Sequence, residues 1–281
     1  MNIVITGANG GLGSALLSAC ARVHPAWSAA GVLREDADLT RPLDVISPIV
    51  SKSPDVVIHC AAMTAVNRCE TEPELARAVN VEGTRAVASA AEAAGARMVY
   101  ISTDYVFDGK GGAPYPVAAP PSPINVYGQT KLEGERITLA WRGHLVVRSS
   151  LLYGKVGKSF PATVLKLART RRELKMVYYQ HGSPTYSKDL AEAVLKLVEK
   201  NASGIYHVSN SGSATWFEFA KATLDLKGIK GVKIRPISSE ELVASAKRPA
   251  DSRLDCSLYA KAVGGPMRHW RDALSEYLSD D

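Results

Sequence analysis

The chain has 281 residues, 46% hydrophobic and 22% charged, with a formal net charge of +6 at pH 7. That length and balance support a substantial buried core and exclude a disordered or low-complexity protein. No apolar run approaches the roughly 20 residues that a membrane span needs, and a strand beginning at Asn2 leaves no room for a signal peptide, so a cytoplasmic location is expected.

The first strand, Asn2 to Thr6, runs into Thr6-Gly7-Ala8-Asn9-Gly10-Gly11-Leu12-Gly13 and then a small-residue helix, Ser14–Val23. A strand, a glycine turn and a helix start form the pattern that cradles a dinucleotide pyrophosphate. The glycines allow close backbone approach, and the helix N-terminus favours the anion. Gly7, Gly10, Gly11 and Leu12 are the candidate contacts. A second strand, Trp27 to Leu33, ends at Arg34-Glu35-Asp36. An arginine there suits a ribose 2′-phosphate and an acid suits a 2′-hydroxyl, so the reading leans to NADPH with NADH usable. Asp38 and Leu39, before a helix over Pro42–Lys52, either face the adenine or cap that helix.

Strand three, Val56 to Cys60, is followed by Ala61, Ala62, Met63 and Thr64, small side chains that leave ligand space at the strand's carboxyl edge. One long helix is expected from Glu74 to Ala94, with Asn80 read as a solvent or local backbone contact. A fourth strand, Met98-Val99-Tyr100-Ile101, delivers Ser102 and Thr103 to the same edge. A Gly/Pro-rich loop over 109–123 makes a plausible rim. Next comes a helix, Tyr127–Trp141, with Tyr127 and Lys131 four residues apart and therefore on one face. A phenol beside an ammonium is a proton donor for a carbonyl. The cation is expected to lower the phenol's pKa from about 10 towards neutrality, and three units of lowering correspond to about 4 kcal/mol. Strand five, Leu145 to Arg148, completes a β-α-β-α-β-α-β-α-β order. It calls for right-handed crossovers and an α/β, doubly wound parallel sheet.

Beyond Ser150 the pattern loosens into a basic helix (159–172) and a strand (175–179), then further short helices and strands. Residues 1–150 are read as the dinucleotide-binding domain, also taking strands from 174–208. Residues 151–281 are read as mainly a smaller α/β substrate-binding lobe. This half holds 21 Lys/Arg against 14 Asp/Glu, without the aromatic interleaving of a nucleic-acid surface. A nucleotide diphosphate is the more economical partner. The four cysteines and six histidines have no metal-type spacing, so no metal site is expected.

Together these segments resemble the extended short-chain dehydrogenase/reductases, most closely the dTDP-4-dehydrorhamnose reductase family. The segments are TGANGGLG at 6–13, CAAMTAVNRCETEPELARAVNVEGT at 60–84 and STDYVFDG at 102–109. NVYGQTKLEGE at 125–135, GSPTYSKDLA at 182–191, GIYHVSNSGSATWFEFA at 204–220 and RPADSRLD at 248–255 complete the set. The resemblance implies a Rossmann-type fold and NAD(P)H-dependent reduction of the C4 keto group of a nucleotide-linked 6-deoxy-4-keto sugar. Tyr127 is implied as proton donor, Lys131 as binding the nicotinamide ribose, and Thr103 and Asp104 as sugar contacts. Gly10, Gly11 and Leu12 would line the pyrophosphate, Asp38 and Leu39 the adenosine, and Ala62, Met63 and Thr64 the nicotinamide side. Arg248, restrained by Pro249, is the expected anchor for the substrate's diphosphate, against a structural role tying the C-terminal tail to the body. A homodimer is compatible with the family. Three positions depart from it: Leu151 stands where a tryptophan packs on the sugar, Val117 and Ala119 replace acidic residues, and Ala15 replaces a glutamate that binds magnesium in some members. The alternative reading is a regulatory subunit resembling the methionine adenosyltransferase β subunit, which LYG at 152–154 and RLDCS at 253–257 also match.

Overall fold

The structure is a computed structural model that describes residues 1–112, 114–238, 241 and 245–279. Five strands of the N-terminal half, β1 (Asn2–Thr6), β2 (Ser28–Val32), β3 (Val56–His59), β4 (Arg97–Thr103) and β5 (Leu145–Ser149), are joined by helices. These are α1 (Gly11–Val23), α2 (Pro42–Val50), α3 (Val66–Thr71), α4 (Pro73–Arg77), α5 (Gly83–Ala93) and α6 (Val126–Leu139). The strands pair in parallel in the order β5-β4-β3-β1-β2, and the strand Gly204–His207 adds to the open side of β5. The α/β, doubly wound parallel sheet expected from the element order is therefore present, six strands wide.

Successive strand residues alternate between two apolar layers. Ile3, Ile5, Ile58, Val99, Leu145 and Val147 face α1 and the helix Ser187–Glu199. Val4, Val57, Met98, Tyr100 and Val146 face α2 and α5 through Val45, Ile49 and Val87. Of the later strands, Gly204–His207 joins the main sheet, whereas Glu173–Val177 pairs in parallel with Lys233–Ile237. The composition explains the division. The strand at 173–177 alternates exposed Glu173 and Lys175 with buried Leu174 and half-buried Met176, so it has mainly one apolar face to cover and a small sheet suffices. The helix Trp216–Leu226 starts at a capping box between Thr215 and Glu218 and packs into an aromatic cluster of Tyr153, Tyr186, Phe219, Trp270 and Tyr277.

The long helix expected over 74–94 is interrupted. Between α4 and α5 lies a π-helical turn, Ala78–Glu82, which carries Asn80. Such a turn inserts one extra residue and re-aims the side chains around it. No described helix is long and apolar enough to cross a membrane.

Candidate active site

Order reverses between β1 and β3, and at such a switch point a crevice opens at the carboxyl edge of the sheet. A cleft of about 890 Å³ occupies that place. On one side is the glycine turn. Gly7 has φ +66°, and a Cβ there would lie 2.9 Å from the Ala61 backbone, so only glycine lets the β1 and β3 loops approach this closely. Gly10 precedes α1 with no side-chain cap, which leaves the first N–H groups of the helix for an anion. This cradle fits a dinucleotide pyrophosphate. Gly7, Gly10, Gly11, Leu12, Arg34, Asp38, Leu39, Ala61, Ala62, Met63 and Thr64 all line the cleft, as do Thr103, Asp104, Tyr127 and Lys131.

At the outer end, the Arg34 guanidinium is exposed and lies 3.8 Å from the Asp38 carboxylate. Asp38 accepts hydrogen bonds from the backbone N–H and hydroxyl of Thr40, so it closes the turn ahead of α2 while lining the cleft. Those bonds hold its carboxyl below the usual range. Leu39 is buried beneath the same turn.

At the inner end, α6 is pressed onto the end of β4. A Cβ on Gly128 would meet the Tyr105 carbonyl at 2.1 Å, and one on Gly134 would meet the Tyr100 hydroxyl at 2.2 Å. Asn125 caps the helix by accepting from the Gly128 N–H at 2.8 Å. This seat puts the Tyr127 hydroxyl beside Thr103, and sets its ring 5.9 Å from that of Tyr105. Thr103 also donates to Asp104 at 3.1 Å and accepts from the Tyr105 N–H.

The electrostatics correct one expectation. The Tyr127 phenol is raised and not lowered. Burial pushes that phenol above its ordinary value, the Thr103 hydrogen bond opposes the rise, and the Asp104 carboxyl adds to it. Lys131 is itself fully enclosed, with its ammonium 4.0 Å from the centre of the Tyr100 ring, and burial lowers its pKa to about 7 against the pull of Glu135. Spacing alone shows that the two side chains share a face. It does not show that both are removed from water, and desolvation is what dominates here.

Asp104 is buried and raised to about 6, chiefly by desolvation. It already accepts hydroxyl hydrogens from Thr103, Ser150 and Ser252, which join β4, the segment after β5 and the C-terminal segment. Arg248 lies against Tyr105, a residue that lines the cleft. Its guanidinium bonds the Asn67 side chain at 3.0 Å and the Ala246 carbonyl at 3.3 Å, which anchors the C-terminal segment to α3. Leu151 lines the cleft in a left-handed conformation, φ +43°, with its side chain against Gly182. Val117 and Ala119 are not cleft residues.

Two groups carry more of the site than their sequence suggested. Asn80 is buried rather than solvent-facing. Its amide bonds both the N–H and the carbonyl of Met63, at 2.7 and 3.1 Å, and reaches Thr130 on α6 at 3.1 Å. It therefore links the loop after β3 to the helix of Tyr127. Glu135, one turn beyond Lys131, makes a two-pronged ion pair with Arg148 of β5 at 2.8 and 2.7 Å and accepts from Ser102. Arg148 continues to His207 at 3.3 Å. The available signal was an acid four residues beyond Lys131 and an arginine inside a strand otherwise apolar.

His59, at the end of β3, bonds Thr6 and Thr84 and is pushed down to about 3 by burial, with the Lys131 charge adding to the effect. Between pH 6.5 and about 3 the unfolded chain holds a proton on this residue that the folded chain lacks, so stability falls as the pH drops through that window. His207, lowered to about 4, acts in the same direction, while Asp104 opposes it between its ordinary range and about 6. Urea unfolding of His59→Gln across pH 4–7 is expected to give a flatter loss of stability than the parent chain. An unchanged slope would mean that His59 titrates normally when folded.

Comparison with known proteins places this architecture. The RmlD substrate binding domain family matches residues 1–281. The spore coat polysaccharide biosynthesis protein SpsK of Bacillus subtilis is 40% identical over 280 residues, covering 99% of this chain and 97% of SpsK. A dTDP-4-dehydrorhamnose reductase of Streptomyces griseus is 41% identical over 281 residues, covering 97% of this chain and 91% of its own. The crystal structure of the Bacillus anthracis dTDP-4-dehydrorhamnose reductase in complex with NADP superposes with a TM-score of 0.94 at 37% identity, covering 100% of this chain and 99% of that one. The chain belongs to the RmlD family of dTDP-4-dehydrorhamnose reductases.

Proposed function

We propose that this protein reduces the C4 keto group of a dTDP-linked 6-deoxy-4-keto sugar, with NADPH as the preferred cofactor and NADH usable. The observation that carries the reading is the convergence of Thr103, Tyr127 and Lys131 in the same cleft as the uncapped glycine turn. The regulatory-subunit alternative is not favoured, because relatives matched along nearly the whole chain are named as reductases.

Gly7 and Gly10 to Leu12 would hold the pyrophosphate of the cofactor, Arg34 and the 38–39 turn its adenosine end, and Ala61 to Thr64 its nicotinamide end. A reduced nicotinamide dinucleotide supplies the hydride when bound. Tyr127 then gives its proton to the alkoxide oxygen. Because burial keeps that proton on the phenol near neutral pH, Tyr127 is suited to donation. Thr103 orients the phenol, and Asp104 holds Thr103. Lys131, near half-protonation at neutral pH, can return a proton to the phenolate. We assign residues 1–150 with the strand Gly204–His207 to the dinucleotide-binding part and most of 151–281 to the sugar side. We place the protein in the cytoplasm, where the cofactor and nucleotide sugars are made, and expect a homodimer.

NADPH oxidation with freshly prepared dTDP-4-keto-6-deoxy-L-mannose tests the reaction, and no oxidation would refute it. Tyr127→Phe should lose at least about 10²-fold in kcat with cofactor affinity nearly unchanged, because only the transferable proton is removed. Retained turnover would assign the acid elsewhere.

Arg34 stands free enough of Asp38 to meet a 2′-phosphate through a charge-assisted contact. Arg34→Ala is expected to lower the NADPH/NADH ratio of kcat/KM by about tenfold or more, taking roughly 1.5–3 kcal/mol for such a contact. An unchanged ratio would remove Arg34 from cofactor choice.

A further inference from the structure

The second half of the chain carries the positive excess, yet among the described residues Lys158 alone of its cations lines the cleft. Tertiary packing gathers a group of the others at a different edge. The small parallel sheet sets Lys233 opposite Glu173 and Arg235 opposite Lys175, so these side chains share one face. Its other face packs Leu174, Met176 and Ile234 against Val164, Leu224 and Ile229. That cluster draws the ends of two helices, Phe160–Ala168 and Trp216–Leu226, to the same edge. There the Arg172 carbonyl accepts from the Lys233 N–H at 2.8 Å, and its guanidinium lies 3.8 Å from where a Cβ on Gly231 would stand.

Arg169, Arg171, Arg172, Lys175, Lys230 and Lys233 are therefore neighbours, and all are exposed. None of these side chains has a hydrogen bond or ion pair among the described residues. The acids beside them are committed elsewhere. Glu173 and Glu241 both pair with Arg235, at 3.6 and 3.2 Å, and Asp225 pairs with Lys221 at 2.7 Å.

The occupant of such a face is anionic, and its chemistry is narrowed by what the face lacks. A protein partner needs an apolar or aromatic anchor at the centre of its contact, where lysine is depleted. No aromatic residue occurs in 166–175 or 226–235 for a nucleic-acid base to stack on. A bilayer's phosphate plane needs only clustered cations, and Leu226, 45% exposed beside them, suits its interface. Both helices begin at the cleft wall, after Lys158 and at Trp216, and run roughly 13–17 Å to this edge. Contact there leaves the cleft open.

We propose that this basic face docks the protein on an anionic phospholipid surface. Such docking is independent of the reaction that the cleft performs.

The test is sedimentation of the full chain with vesicles of phosphatidylglycerol and phosphatidylcholine in equal parts, against phosphatidylcholine alone. The parent chain should bind only the anionic vesicles, and raised salt should release it. The combined variant Arg171→Gln, Arg172→Gln, Lys230→Gln and Lys233→Gln should bind them at least about 100-fold more weakly, since each cation near the surface contributes several-fold. Its turnover in vesicle-free solution and its melting temperature should not move. A control variant, Lys52→Gln, Arg142→Gln, Lys196→Gln and Lys200→Gln, removes as many charges from other exposed positions and should bind vesicles as the parent does. Equal loss in both variants would reduce the effect to net charge and overturn the docking face. So would a parent chain that ignores anionic vesicles, or one that binds duplex DNA more tightly than it binds them.

Discussion

The site depends on an ion pair that water does not reach. Glu135 and Arg148 are 1% and 2% exposed at their side chains, and every strong partner either has is another part of the active edge. Glu135 lies one helical turn past Lys131. Arg148 lies on β5 opposite Ser102 of β4, and Ser102 completes the carboxylate's contacts. Arg148 donates to His207 on the last strand of the sheet, and His207 reaches the Tyr115 carbonyl in the rim loop. One pair thus fixes the rotation of α6 against three strands and a loop. Burying two charges costs several kcal/mol per ion before their attraction is counted. A fold needing only stability would do as well with apolar side chains. What the pair adds is direction, since a forked guanidinium accepts a carboxylate in few orientations.

The rest of the cleft is fixed by similarly short-range means. Asn80 ties the loop after β3 to α6, and Gly7 lets that loop lie against the glycine turn. Movement of α6 would therefore disturb both ends of the site, Tyr127 directly and the loop after β3 through Thr130 and Asn80. The Asp104 hydroxyl contacts close the third side by holding the C-terminal segment against β4.

Much of this was legible in the sequence. The glycine turn announces itself because only glycine permits its backbone, and the Tyr127–Lys131 face follows from helical spacing. The parallel sheet follows from alternating strands and helices. What was not legible depends on depth. Whether Lys131 acts on Tyr127 or is itself lowered turns on how much water each sees, and residue spacing carries no such information. The π-helical turn has no single-sequence signature, so Asn80 looked like an ordinary helical asparagine. Arg248 illustrates a different limit. A basic residue fixed by a following proline suggested a ligand contact, and nothing in the sequence showed that its guanidinium would bond Asn67 of α3.

If the buried pair positions the helix, stability and turnover should separate when the pair is replaced whole. The decisive measurement is a double-mutant cycle with Glu135→Leu and Arg148→Met, read in both unfolding free energy and kcat. Each single variant should lose roughly 3–5 kcal/mol by leaving one buried charge unpaired. The double variant should recover most of that stability while its kcat stays well below that of the parent chain. A double variant with parental turnover would show that apolar packing orients Tyr127 equally well, and would contradict the claim that this pair sets the site.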